Sequence, residues 1–174
     1  MLEWFQFLNI REGKEMAIDD YNIELEVVRE KVERIRSILD KASTGKPFKA
    51  VVYRGISDET PVDEGIYGKG TYYTLNIDYA KEYAGIGKNG KVIVKEIYLK
   101  NPYVGTAGEI EAFGYSAIEK AIKEGKGVKE QREAFSRAIT EKLKSMGYDG
   151  IVIKDGNDIV VFDDKDRSFN PCIY

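Results

Sequence analysis

Four short stretches hold the side chains that could do chemistry. They are Val52-Tyr53-Arg54-Gly55, Tyr67-Gly68-Lys69-Gly70-Thr71-Tyr72-Tyr73-Thr74, Asp78-Tyr79-Ala80-Lys81-Glu82-Tyr83, and Gly156-Asn157-Asp158-Ile159-Val160-Val161-Phe162-Asp163. The 174-residue chain has no histidine and one cysteine, Cys172. This excludes a Ser-His-Asp triad, a Cys-His pair and metal sites that need imidazole. One cysteine cannot form an internal disulfide and argues against structural zinc, so no metal site is expected. Chemistry therefore falls to carboxylates, Tyr, Lys, Arg or Ser/Thr, or comes from a bound cosubstrate.

The elements that must position these residues can be read from periodicity. Tyr21, Leu25, Val28, Val32, Ile35 and Leu39 alternate steps of four and three, which places them on one stripe of a helix. The helix should stop near Ser43-Thr44-Gly45, with Pro47 beyond. Its stripe suits either a partner's coiled coil or packing on its own domain. The repeat is short for a coiled coil, which favours packing. Ala50 to Tyr53, Thr71 to Thr74 and Lys91 to Leu99 read as strands, the last ended by Asn101-Pro102. Asp78 to Ala84 reads as a short helix. A second helix runs from about Val128 to Met146, with Phe135, Ile139, Leu143 and Met146 on one face. Two strands follow, Gly150 to Lys154 and Ile159 to Phe162. This arrangement predicts an α+β fold, with a helical extension over 1–45 and a domain over 46–174.

In order and spacing, the four stretches resemble the catalytic domain of the diphtheria-toxin-like, His-Tyr-Glu type of ADP-ribosyltransferase. In that family a strand ending His-Gly opens the pocket. A Gly-Lys-Gly-aliphatic-Tyr-Phe segment follows, with a second Tyr eleven positions after the first. Tyr72 and Tyr83 match that pair without a gap, and Asn157-Asp158 with its strand looks like the family's terminal Asn-Glu element. The resemblance covers about Lys49 to Asp163. It implies a split β-sheet core with flanking helices, preceded here by the amphipathic helix.

The resemblance also implies roles. Tyr72 and Tyr83 would stack on the nicotinamide of NAD, each such pair contributing roughly 0.5–1.5 kcal/mol. Gly55 would let the backbone approach the amide closely. Asp158 would stabilise the oxocarbenium-like charge that develops as the nicotinamide–ribose bond breaks. Arg54 stands where this branch has His. Arg at that place belongs to the Arg-Ser-Glu toxins, where a guanidinium fork contacts the NAD phosphates. The implied catalytic set is Asp158, Tyr72 and Arg54; the NAD-binding set is Arg54, Gly55, Tyr72 and Tyr83.

Further departures matter. Asp158 is one methylene shorter than Glu, and a shift near 1 Å can cost about a hundredfold in rate. Ala80 replaces a Ser that hydrogen-bonds the amide. Gly156 occupies the place where the toxin branch engages its target side chain. Taken singly, each site residue also has a packing reading: strand aromatics at Tyr72 and Tyr73, a helix face at Tyr83, turns at Arg54-Gly55 and Asp158. Gly85-Ile86-Gly87-Lys88-Asn89-Gly90 fits a dinucleotide fingerprint, but it precedes a strand and so reads as a turn. Glu109-Ile110-Glu111 mimics a toxin motif far from the last strands, and 105–127 reads as a solvated helical excursion, a lid or a target-recognition surface.

The functional expectation is an NAD-consuming mono-ADP-ribosyltransferase, with a protein as the expected acceptor and a nucleic acid, a small molecule or water left open. A virus- or toxin-borne effector is one setting for it. The alternative is a weak or inactive module of the same fold that acts through protein contacts. A net charge of −3 argues against indiscriminate binding to nucleic acid or anionic membrane. No apolar run reaches membrane-spanning length, and the first fifteen residues lack a basic region and a cleavage site. With one cysteine, these features point to a cytoplasmic setting.

Overall fold

A computed structural model gives the structure and describes residues 18–59 and 65–164. Five helices and six strands follow in the order α1 (Ile18–Lys41), β1 (Phe48–Ile56), β2 (Thr71–Thr74), α2 (Ile77–Ala84), β3 (Lys91–Leu99), β4 (Pro102–Gly105), α3 (Ala107–Glu111), α4 (Tyr115–Lys123), α5 (Val128–Ser145), β5 (Gly150–Ile153) and β6 (Asp158–Val161). The fold is the expected α+β.

The strands form one sheet ordered β3-β1-β2-β6-β5-β4. All neighbours are antiparallel except β4 and β5. β1 pairs with β3 along its whole length, from Phe48 opposite Leu99 to Ile56 opposite Lys91. Between β1 and β2 the only paired residues are Tyr53 and Thr74. The sheet is therefore split at this seam into a β3-β1 half and a β2-β6-β5-β4 half.

Two apolar cores cover the sheet. Alternation along β1 turns Phe48, Ala50 and Val52 into the first, with Tyr73, Ile97, Leu99 and Val152. Ile110, Ile139, Leu143, Ile151, Val160 and Phe162 form the second. Every residue of β5 is buried, because successive side chains enter opposite cores.

α1 spans the boundary between two compact units, at Glu33 and Arg34. From Arg34 onward, Leu39 is buried in the first core, with Ile35 and Ile38 packed against it. Before that point Leu25, Val28 and Val32 are exposed, and Arg29 pairs with Glu33 at 3.0 Å. The side chain of Tyr21 lies outside the described residues.

β3 ends at Leu99, just before Asn101-Pro102 as expected, and Pro102 then starts β4, a first-strand position where the missing N–H costs little. Two readings need correction. Residues 105–127 are not all a solvated excursion, since Ile110 of α3 is completely buried in the second core. Met146 leaves the apolar face of α5 because the helix ends at Ser145, and its side chain is 47% exposed.

Candidate active site

A cavity of about 380 Å³ opens at the seam. Tyr53, Arg54 and Gly55 of β1 line it, as do Tyr72, Tyr73 and Thr74 of β2. Consecutive strand residues point to opposite faces. A cavity lined by three in a row from each strand therefore occupies the gap between the strand edges. Thr74 is opposite both Tyr53 and Asp158, so the start of β6 lies two strand spacings from β1.

α2 closes one side. Asn76 caps it by accepting a hydrogen bond from the Asp78 N–H at 3.0 Å. Thr74 Oγ1 accepts from the Asn76 N–H at 3.1 Å. The Leu75 N–H donates to the Asn157 carbonyl at 2.9 Å, which ties the end of β2 to the turn presenting Asp158. Gly55 and Ala80 are both buried, and their small size lets the helix backbone lie against β1.

Tyr72 is held at its hydroxyl. It donates to the Gly68 carbonyl at 2.6 Å and accepts from the Tyr67 N–H at 3.0 Å. Burial raises its pKa well above the usual tyrosine value, so the ring stays neutral. The loop carrying Gly68-Lys69-Gly70 is strapped to α5. The Lys69 N–H donates to Thr140 Oγ1 at 2.6 Å, and that hydroxyl donates back to the Lys69 carbonyl at 3.1 Å. Lys69 Nζ pairs with Glu133 at 3.0 Å, and Ser136 donates to the Gly65 carbonyl. A Cβ at Gly70 would approach the Val161 carbonyl oxygen to 2.6 Å, so this glycine permits close docking on β6.

Tyr83 lies near the end of α2 and is 39% exposed. Tyr79, one helical turn earlier, meets it edge-on with ring centroids 5.1 Å apart and hydroxyls 3.3 Å apart. The hydrogen bond to Tyr83, then burial, raises the Tyr79 pKa. Asp158 is half-buried, and loss of hydration pushes its pKa above the ordinary carboxylate range. Its carboxylate has no hydrogen bond or ion pair among the described residues, and neither has the Arg54 guanidinium.

All five residues singled out from the sequence, Arg54, Gly55, Tyr72, Tyr83 and Asp158, line this one cavity. Ala80 lines it too, without a polar side chain. Tyr53, Tyr67 and Tyr79 also line it, and sequence reasoning gave them no role. The four-residue spacing of Tyr79 and Tyr83 was the available signal for one of them. Residues 49–166 match the family described as ADP-ribosyltransferase in polyvalent proteins. The chain belongs to that family. No curated protein and no solved structure matches it.

Other motifs of this ADP-ribosyltransferase domain have local explanations. Gly85 caps α2, and the following turn leads into β3 through Asn89 at φ +55°. There the Lys88 N–H donates to Asp58 Oδ1 at 2.6 Å. Glu109 completes a capping box with Thr106 at the start of α3. Among the described residues, no group of three or more His, Cys, Asp or Glu is placed to hold a metal, and no helix is long and apolar enough to cross a membrane.

Proposed function

We propose that the protein is an NAD-consuming mono-ADP-ribosyltransferase that works in the seam cavity. The observation that carries this is that Arg54 and the desolvated Asp158, whose charged groups are both unpaired among the described residues, line one aromatic-walled space. A charge left without a protein partner in a cleft favours a charged ligand. Arg54 would take a phosphate of NAD, Tyr72 and Tyr83 would flank the nicotinamide ring, and the Gly55 backbone would meet its amide. About 380 Å³ suits the nicotinamide riboside end, with the rest of the dinucleotide leaving past Arg54.

In the reaction, the bond from ribose C1′ to the nicotinamide nitrogen breaks, and nicotinamide leaves with the electron pair. The acceptor nucleophile then bonds to C1′ and gives up its proton. Asp158 would stabilise the positive charge between these events, and its low hydration strengthens that interaction. A protein side chain is the proposed acceptor, in the cytoplasm of the producing cell or of a host reached by an effector.

The second reading, a weak or inactive module that acts through protein contacts, draws on Ala80 and the short Asp158. Titration of the purified protein with NAD, followed by measurement of released nicotinamide, separates the two. Binding with release supports the enzyme; absence of both overturns it. Loss of release in Asp158→Ala with the fold intact supports the role of that carboxylate.

A further inference from the structure

The two halves of the sheet meet at one residue pair, yet the cavity takes its walls from both. Something must hold the gap at a working width. On the first-core side, Tyr73 of β2 is 5% exposed and its hydroxyl donates to Asp164 Oδ2 at 2.5 Å. Asp164 follows β6 and is itself buried. Its other oxygen accepts from Lys95 Nζ of β3 at 2.9 Å. The Lys95 ammonium also lies 5.8 Å from the centre of the Tyr73 ring. Lys95 is opposite Val52 in β1, so the ion pair reaches from one half of the sheet to the other.

We infer that Lys95, Asp164 and Tyr73 form a latch across the seam that sets the spacing of the cavity walls, Lys95 being a positioning residue that does not itself line the cavity. An ion pair with one buried partner, here Asp164, is a poor device for stability alone, because desolvation offsets much of its attraction. It is a good device for fixing relative position, because both partners demand a defined geometry. Tyr73 connects the latch to the site, since it lines the cavity while its hydroxyl holds Asp164. Burial and the bond to Asp164 push the Tyr73 pKa up to about 12, so the hydroxyl remains a donor at neutral pH. Tyr72 and Asp158 ride on the same half of the sheet, whereas Arg54 and Gly55 ride on the other. Loosening the latch should therefore impair ligand binding more than the chemical step.

The consequence for catalysis rests on the proposed NAD reaction; the latch itself does not. The test is Lys95→Met, with Tyr73→Phe as a second variant and Lys95→Arg as the conservative control. Amide exchange without ligand reads the latch directly. In Lys95→Met, the seam amides around Tyr53 and Thr74 should exchange about tenfold faster, with those of Ile151 to Ile153 unchanged. KM for NAD should rise about fivefold with kcat nearly constant. Lys95→Arg should restore both. Unchanged seam exchange in both variants overturns the latch, as does faster exchange spread equally through β5. If wild-type protein neither binds NAD nor releases nicotinamide, the enzymatic reading fails, and the exchange pattern alone decides the latch.

Discussion

A methyl group added at Gly55 would lie 1.8 Å from the carbonyl oxygen of Ala80 and 2.7 Å from the Ala84 nitrogen. Both are helix backbone atoms, so no rotamer change relieves the contact. Gly55→Ala must lift α2 from β1, at a cost of about 3 kcal/mol. Because α2 carries Tyr79 and Tyr83, NAD binding should be lost along with stability. Urea unfolding and titration of the same sample check this; a variant that keeps both would show that α2 does not need this contact.

Tyr79 braces Tyr83 through an edge-on ring contact and a hydroxyl contact. Tyr79→Phe keeps the ring and removes the second, so NAD affinity should fall about threefold. Tyr79→Ala removes both and should cost about tenfold. Equal affinities for the two variants and wild type would show that Tyr83 holds its place alone.

Much of this architecture is legible in the amino-acid sequence. β2 and β3 fall where β-branched and aromatic residues are bounded by turn residues. The eleven-residue spacing of Tyr72 and Tyr83 singles out two of the cavity's walls. Other features have no local signature. β4 is four residues long and begins with proline, and its partner β5 lies 48 residues further along the chain. The width of the seam depends on where pairing stops, which no single segment encodes. Tyr67 enters the cavity from a loop whose course depends on Thr140, 71 residues beyond the Lys69 it binds.

That Thr140 contact makes a separate prediction. One hydroxyl satisfies both the N–H and the carbonyl of Lys69, and it is buried. Thr140→Val keeps the volume and leaves two backbone groups short of a partner. The expected loss is about 2 kcal/mol in urea unfolding, with faster exchange at the Lys69 amide. A neutral substitution would mean that water takes over both bonds.

Asp158 should set stability and activity against each other. Burial raises its folded-state pKa above the unfolded value, which is about 3.9 for an ordinary Asp. A group shifted in this direction favours folding while it is protonated. That contribution is lost as pH rises through the folded-state pKa. At neutral pH the ionised side chain therefore weighs against the fold, while the proposed chemistry requires its charge. Asp158→Asn should melt above wild type near pH 7, and the difference should shrink as pH falls through the folded-state pKa and vanish below about pH 4, where an ordinary Asp becomes protonated in the unfolded chain as well. Nicotinamide release should fall at least about a hundredfold in the same variant. In wild type, release should decline on acidification with a midpoint above the ordinary Asp value. A less stable Asp158→Asn at neutral pH would refute the electrostatic cost, and one that still releases nicotinamide at the wild-type rate would refute the catalytic role.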